Sequence, residues 1–322
     1  MMQQILQTRV LKKTMLSDRV VGLTLGLDNG AALPAWEPGA HIELELAAPH
    51  TEPLYRQYSL CGQQDNTHAW QIAVLKDEAS RGGSVFIHEV LQEGDVVPVS
   101  APKNHFPFAA NKKCLFIAGG IGITPIVPMV KAAVAAGLDW QLLYLARNTS
   151  DFIFLEDLQQ LDRSRIKVHA SDVEGQFDLQ KTLMAQDGQT TVYSCGPQGL
   201  LSALEQYQQE QKELGWKLVL ERFAVEADAS TLTGNRFTVT LQKSGKRITV
   251  DSHETILSAL KREGIKVKCS CQNGTCGTCE TVVISGQPEH RDFVLSEEER
   301  ELNETMMICV SRARSAELVL DL

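Results

Sequence analysis

Short apolar runs separated by turn clusters fill the first third of the chain. Val20–Leu27, His41–Leu46, Gln57–Cys61 and Trp70–Leu75 have β-type composition, and clusters such as Asp28-Asn29-Gly30 and Pro38-Gly39 break them apart. This spacing predicts a small antiparallel β-barrel over residues 1–108. The texture then changes. Apolar runs at Cys114–Ala118, Trp140–Tyr144, Ile166–Ala170 and Thr191–Ser194 alternate with helix-like stretches at Pro125–Ala136, Phe154–Leu161, Leu179–Met184 and Pro197–Gln211. Alternation of that kind predicts an α/β domain over residues 109–223, a parallel sheet covered by helices on both faces. Residues 224–235, rich in Ala, Asp, Ser, Thr and Gly, read as a linker. Residues 236–322 open with two strand signals, Phe237–Leu241 and Arg247–Val250, around a Lys243-Ser244-Gly245 turn. A helix near Thr255–Glu263, a cysteine-rich loop and a strand at Thr281–Ser285 follow.

Composition narrows the classes of function. A chain of 322 residues is longer than one core supports, and 43% hydrophobic with 22% charged residues suits a soluble multidomain protein. A net charge of −9 with no long Lys/Arg run argues against a nucleic-acid partner. The longest apolar run, Cys114–Val130, is broken by Gly119, Gly120, Gly122, Pro125 and Pro128, so it reads as strand, loop and helix rather than a membrane span. The opening MMQQILQTRVLKK lacks the apolar stretch of a signal peptide, and the expected location is the cytoplasm. Eight cysteines are clustered rather than scattered, which points to metal or redox use, not disulfides.

The sharpest chemical signal is Cys271-Gln-Asn-Gly-Thr-Cys276-Gly-Thr-Cys279, with Cys309 further on. This is the C-x4-C-x2-C…C spacing of a plant-type [2Fe–2S] cluster. Two bridged irons need four thiolates, and a tight loop supplies three. Gly274 and Gly277 let the backbone turn its N–H groups toward the sulfurs. A structural zinc site usually has two close ligand pairs, and only one C-x2-C occurs. Cys269, two residues ahead, is expected to be a strand-end or pocket residue.

In the second block, strand Cys114–Ala118 runs into Gly119-Gly120-Ile121-Gly122-Ile123-Thr124-Pro125 and then a helix. Glycines admit a pyrophosphate and a helix N-terminus favours its charge; Thr124 is the expected N-cap and Pro125 the first helical residue. The loop departs from G-x-G-x-x-G, because Pro125 stands at the last position. Arg147 follows the next strand, and Cys195-Gly196-Pro197 ends a later one, at the edge where ligands of open α/β sheets bind. Asp172 and Glu174 follow strand Ile166–Ala170. They are either acceptors for a ribose hydroxyl or solvated loop charges.

In the first block, Arg56-Gln57-Tyr58-Ser59-Leu60 lies on an expected strand, where Arg56 and Tyr58 share a face. Arg81-Gly82-Gly83-Ser84 precedes an expected helix and forms a second anion site. Alone, either pattern is common.

Together, and in this order, the motifs resemble the phthalate dioxygenase reductase family over the full length, nearest to reductase subunits of vanillate demethylase and of related aromatic-acid or carnitine oxygenases. Pro102-Lys103-Asn104-His105-Phe106 and the closing Ser311-Arg312-Ala313-Arg314 add to the likeness. The resemblance implies a flavin barrel, a nucleotide domain and a β-grasp ferredoxin domain. It also implies FMN held by Arg56, Tyr58 and Ser59 and closed over by Arg81, Gly82, Gly83 and Ser84. NADH would bind on Gly119, Gly120, Gly122, Thr124, Arg147, Asp172, Cys195, Gly196 and Pro197. The cluster would sit on Cys271, Cys276, Cys279 and Cys309. Glu221-Arg222-Phe223 resembles the motif whose aromatic ring covers the flavin, and Phe223 is otherwise a plain linker anchor.

A nicotinamide gives two electrons together and a ferredoxin-type cluster takes one, so a flavin between them is required. No general base is expected; Ser59, Cys195 and Phe223 are the residues expected beside the reacting rings. His41 and His105 read as pocket or structural residues. The implied partner is a terminal Rieske-type oxygenase docking at the cluster loop. The run Glu297-Glu298-Glu299-Arg300-Glu301 reads first as a solvated helix face and second as a steering patch. The rival acceptors are a diiron monooxygenase or a P450. From other classes come a non-catalytic redox sensor and a zinc-stabilised interaction module.

Overall fold

In a computed structural model, described over residues 5–47, 53–77, 82–223 and 233–322, the antiparallel part of the chain is a sheet that closes on itself. Its strands are β1 (Ile5–Ser17), β2 (Val20–Leu27), β3 (Ala40–Leu46), β4 (Leu54–Ser59) and β5 (Trp70–Leu75). After helix α1 (Gly83–Glu89) come β6 (Val96–Ser100) and the short β7 (Lys103–Asn104). The order is β4-β3-β6-β1-β2-β5, with β7 on β3. Beyond β4, the Cys61 N–H donates to the Gln71 carbonyl of β5 at 2.9 Å and so closes the barrel. Alternate residues point inward: Val21, Leu23, Leu25, Ile42, Leu44, Ile72 and Val74 fill the interior with Trp70, Val97 and Val99. Ile87 and Leu91 join them from α1 and the turn after it.

The parallel part is built from β8 (Lys113–Gly119), α2 (Ile123–Ala135), β9 (Asp139–Ala146), α3 (Leu155–Asp162) and β10 (Ile166–Ala170). Then come α4 (Ser171–Glu174), α5 (Leu179–Met184), β11 (Thr190–Cys195), α6 (Gln198–Glu210) and β12 (Lys217–Glu221). Strand order is β10-β9-β8-β11-β12, and every pairing is parallel. Phe116 and Tyr144 pack with Ile126, Val127 and Val130 of α2 on one face. Leu115, Ile117, Leu143 and Val192 pack with Leu183, Leu204 and Trp216 on the other. Burial on both faces explains the nearly continuous apolar run of β8 at the sheet centre. The order reverses between β8 and β11, which opens a crevice beyond their carboxyl ends, the usual ligand position in such sheets.

The chain divides into two compact units between Phe223 and Ala224. The second unit has β13 (Phe237–Leu241), β14 (Arg247–Val250), α7 (Ile256–Arg262), β15 (Glu280–Ser285), β16 (Pro288–Glu289) and α8 (Glu297–Leu302). It ends with β17 (Thr305–Met307), β18 (Arg312–Ala313) and β19 (Glu317–Leu320). The main sheet runs β14-β13-β19-β15-β17, with only β13 and β19 parallel. Thr255 and Ser258 cap α7 reciprocally, and its Ile256, Leu257, Ala259 and Leu260 pack against Val239, Leu241, Leu318 and Leu320. One helix laid across a mixed sheet is the β-grasp arrangement. Arg312, 2% exposed, ties this unit together: its guanidinium donates to the carbonyls of Glu254, of Asn235 at 3.0 Å and of Asp251 at 2.9 Å. It also lies 5.2 Å over the Phe237 ring.

Candidate functional site

At the switch point of the parallel sheet, the loops after β8 and β11 meet backbone to backbone. A Cβ on Gly122 would come within 2.2 Å of the Cys195 carbonyl oxygen, and one on Gly196 within 3.0 Å of Gly119. A Cβ on Gly119 would lie 2.6 Å from Pro197. The glycines are therefore needed for the two loops to interlock. Gly120, with φ +54°, faces open space, so the crevice has room where a phosphate-bearing ligand would approach. Cys195 is fully buried, and burial, with Glu221 adding to it, pushes its thiol well above the usual range. Glu221 stands beside Cys195 in the β11–β12 register, with one carboxylate oxygen buried and unpartnered; burial pushes it up to about 8.

The turn at Gly120–Gly122 runs straight into α2, so the cap of that helix is Gly122 and not Thr124. Thr124 is instead a buried residue of the first turn whose hydroxyl donates to the Ile121 carbonyl at 3.0 Å. Pro125 accordingly stands third in the helix rather than first. Beyond β9, exposed Arg147 accepts at its carbonyl from the Asp172 N–H at 3.0 Å, which joins the ends of β9 and β10. Asp172 is exposed. Glu174 is committed to its own loop, with Oε1 accepting from the Ala170 N–H at 3.0 Å and Oε2 lying 3.4 Å from His169 Nδ1.

On the barrel, Arg56 and Tyr58 stand opposite Leu44 and Ile42 and share a face, while Ser59 stands opposite His41. The Arg56 stem lies against the start of α1, where a Cβ on Gly83 would come within 2.6 Å of it. Gly82 has φ +90° and caps that helix. Burial pushes the Tyr58 phenol up, against the pull of Arg56. Ser84 Oγ accepts from the Asp77 N–H at 3.2 Å. Ser59 Oγ and His41 Nε2 are buried without a partner, which leaves a donor and an acceptor for a ligand's polar edge. Burial, with Lys103 and His105 nearby, lowers His41 to about 3, so its ring is neutral. Arg81 lies outside the described residues.

In the second unit, Gln272, Gly274 and Gly277 take positive φ and wind the cysteine loop. Gly274 is required, since a Cβ there would meet Val310 at 2.6 Å. The four cysteine side chains lie close enough to interact, Cys271 with Cys276 and Cys309, and Cys309 with Cys279. The Asn273 N–H donates to Cys271 Sγ at 3.3 Å. Among the described residues, no three His, Cys, Asp or Glu gather as ligands of one metal ion. Four thiolates gathered from one tight loop and Cys309 match the four-cysteine donor set of a two-iron cluster.

Two family models match: "2Fe-2S iron-sulfur cluster binding domain" over residues 239–314 and "Oxidoreductase NAD-binding domain" over residues 116–206. The carnitine monooxygenase reductase subunit of Escherichia coli (strain K12) is 36% identical over 322 residues, 99% of each chain. The solved structure of phthalate dioxygenase reductase, described as a modular structure for electron transfer from pyridine nucleotides to [2Fe–2S], superposes with TM-score 0.71 and 34% identity, covering 99% of this chain and 98% of that one. This chain belongs to the phthalate dioxygenase reductase family. Like other members of the family, it is an oxidoreductase with an NAD-binding and a 2Fe-2S domain. An intact type IV self-sufficient cytochrome P450 monooxygenase also contains a region like it, with TM-score 0.85 and 36% identity over 99% of this chain; this chain spans 41% of that one.

Within this family frame, several expected residues find structural explanations. Cys269 is partly buried against the ferredoxin core. The acidic run forms α8, capped by Ser296, with Glu299 accepting from the Ser296 N–H at 2.7 Å and Arg300 donating to the Asp292 carbonyl at 2.5 Å. Phe223 is 41% exposed, and its neighbour Arg222 pairs with Glu205 at 2.6 Å. Sequence reasoning missed buried His169 and gave Glu221, quoted only as part of a motif, no role of its own.

Proposed function

We propose that this protein takes electrons from NADH through FMN and a [2Fe–2S] cluster and passes them singly to a terminal Rieske-type oxygenase. The observation that carries the reading is the gathering of Cys271, Cys276, Cys279 and Cys309 on the same polypeptide as the glycine-lined nucleotide crevice. The three domains would be residues 1–108, 109–223 and 236–322, joined by 224–235. When bound, the flavin accepts the electron pair of the reduced nicotinamide and releases it one electron at a time.

The chain's own residues would supply the positioning. Arg56, with Arg81, Gly82, Gly83 and Ser84, would neutralise and surround the flavin phosphate. Tyr58 would lie against the ring and Ser59 Oγ would hydrogen-bond its polar edge. Gly119, Gly120 and Gly122 would admit the nicotinamide pyrophosphate, with Thr124 holding the loop. Arg147 would meet the nucleotide phosphates and Asp172 the ribose. Cys195, an uncharged thiol, would line the nicotinamide position beside Gly196 and Pro197 without acting as a nucleophile. Phe223 would cover the flavin. The clustered cysteines, read as cluster ligands rather than disulfides, favour a cytoplasmic location.

Anaerobic visible and EPR spectra before and after NADH test the reading. Bleaching of flavin and cluster bands with a rhombic one-electron signal is the expected result; a protein without either chromophore overturns it. A second reading, a P450 acceptor, rests on the likeness to the P450-fused region. Reduction assays with a Rieske oxygenase and with a P450 side by side separate the two.

A further inference from the structure

The two stretches of chain that carry the cluster cysteines are joined by a third that carries none. Gly274, inside the cysteine loop, packs so closely that a Cβ there would meet Val310 at 2.6 Å and the Asp292 Cα at 3.1 Å. The Phe293 N–H donates to the Gly274 carbonyl at 2.8 Å, which fastens the turn after β16 to the loop. The same turn is fastened to the Cys309 side. The Arg291 N–H donates to Ser311 Oγ at 3.2 Å, and the Ser311 hydroxyl donates to Asp292 Oδ1 at 3.4 Å. Ser311 is fully buried, two residues beyond Cys309.

Asp292, at the centre of the turn, is 3% exposed. Its Oδ2 accepts from the N–H groups of Val294 at 3.1 Å and Leu295 at 2.9 Å, which fixes the backbone that presents Phe293. Arg300 of α8 donates to the Asp292 carbonyl at 2.5 Å and stands 3.9 Å from Oδ2. A carboxylate is costly to bury unless donors such as these surround it. The contacts of this one residue reach both cysteine-bearing stretches, so they set where the Cys309 segment stands relative to the loop.

We propose that Asp292 is a positioning residue for the cluster, holding the Cys309 segment and the cysteine loop at the spacing that a [2Fe–2S] group needs. The inference rests on the reading of Cys271, Cys276, Cys279 and Cys309 as its ligands. The tie at Gly274 also steadies the neighbouring Asn273 N–H, which donates to Cys271 Sγ at 3.3 Å. Donors to a ligand sulfur stabilise the reduced, more negative cluster, so a slack loop lowers its potential. Asparagine at 292 keeps the shape: its oxygen accepts from Val294 and Leu295, and its amide donates to Ser311, whose hydroxyl serves as donor or acceptor. Position and charge are thereby separable.

The test is an EPR-monitored dithionite titration of the anaerobic full-length holoprotein, with the rate of iron release to a chelator measured alongside. Asp292→Asn is expected to keep the wild-type signal shape and the wild-type rate of iron release. Asp292→Ala is expected to release iron about tenfold faster, with altered g values. Its reduction equilibrium should lie about tenfold below that of Asp292→Asn, which is about 59 mV for one electron. Ser311→Ala cuts one tie and leaves the carboxylate, so it should move both readouts the same way by less; it carries the test should Asp292→Ala fail to fold. Wild-type behaviour in Ser311→Ala overturns the proposal. Equal changes in Asp292→Ala and Asp292→Asn also overturn it, since charge would then be the cause. A wild type without a rhombic signal after dithionite overturns the ligand reading instead.

Discussion

Gly122 lies against the Cys195 carbonyl so closely that the two loops of the nucleotide crevice share one backbone surface. Gly122→Ala forces that surface apart and is expected to destabilise the unit by about 3 kcal/mol. It should also raise the NADH KM. At Gly120 there is open space and only a positive φ, so Gly120→Ala should cost about 1 kcal/mol in stability. Thermal unfolding of both variants, followed beside NADH saturation curves, checks the ordering.

The gathered cysteines give a second expectation. Cys279→Ser or Cys309→Ser removes one of the four sulfurs and should abolish the rhombic EPR signal. NADH-driven reduction of a two-electron dye should continue. Cys269, packed on the core outside the four-cysteine set, is replaceable: Cys269→Ser should keep the signal.

Arg312 donates to backbone carbonyls of Asn235, Asp251 and Glu254, segments far apart in the chain. Arg312→Met leaves these oxygens unpaired in the interior and should cost the ferredoxin unit about 3 kcal/mol. Loss of cluster absorbance during heating is the measurement. Arg314, which is exposed, should tolerate the same change.

Two buried groups act on stability with opposite slopes. Glu221 rises from 4.5 to about 8 on folding, so its contribution is full below about 4.5 and is lost as pH climbs through about 8. His41 falls from 6.5 to about 3, so its contribution is full above 6.5 and is lost as pH drops through about 3. Glu221→Gln should flatten the alkaline side of the stability profile of the first unit and His41→Asn the acid side. Chemical denaturation across the pH range reads both.

Much of this was legible in the chain itself. The cysteine spacing and the glycine loop announce their chemistry because cluster and pyrophosphate constrain consecutive residues. Strands Phe237–Leu241, Arg247–Val250 and Ile166–Ala170 were also legible, each a short stretch of alternating apolar and polar residues between turns. The thirteen-residue β1 escaped notice because register shifts at Val10/Lys12 and Met15/Ser17 break its period of two. Leu11 and Met15 also stay exposed on it. β12 is a half-buried edge strand without a strong apolar signature. Thr124 was misassigned because a capping residue is defined by the turn before it, and the Gly120–Gly122 turn had already begun the helix. Arg312 stands in the closing motif, but its burial depends on carbonyls of Asn235, Asp251 and Glu254, distant in sequence, which no local pattern shows.

The fourth cysteine has a consequence for how the second unit lives and dies. Between Cys279 and Cys309 lie β15, β16, α8 and β17. A cluster held by both cysteines would therefore staple a long stretch of chain, shrinking the freedom of the denatured polypeptide much as a cross-link does. Loss of iron releases that stretch at both ends. Protease sensitivity between Glu280 and Ile308 then becomes a gauge of cluster occupancy, and iron starvation would mark this reductase for turnover before its nucleotide-binding half is affected.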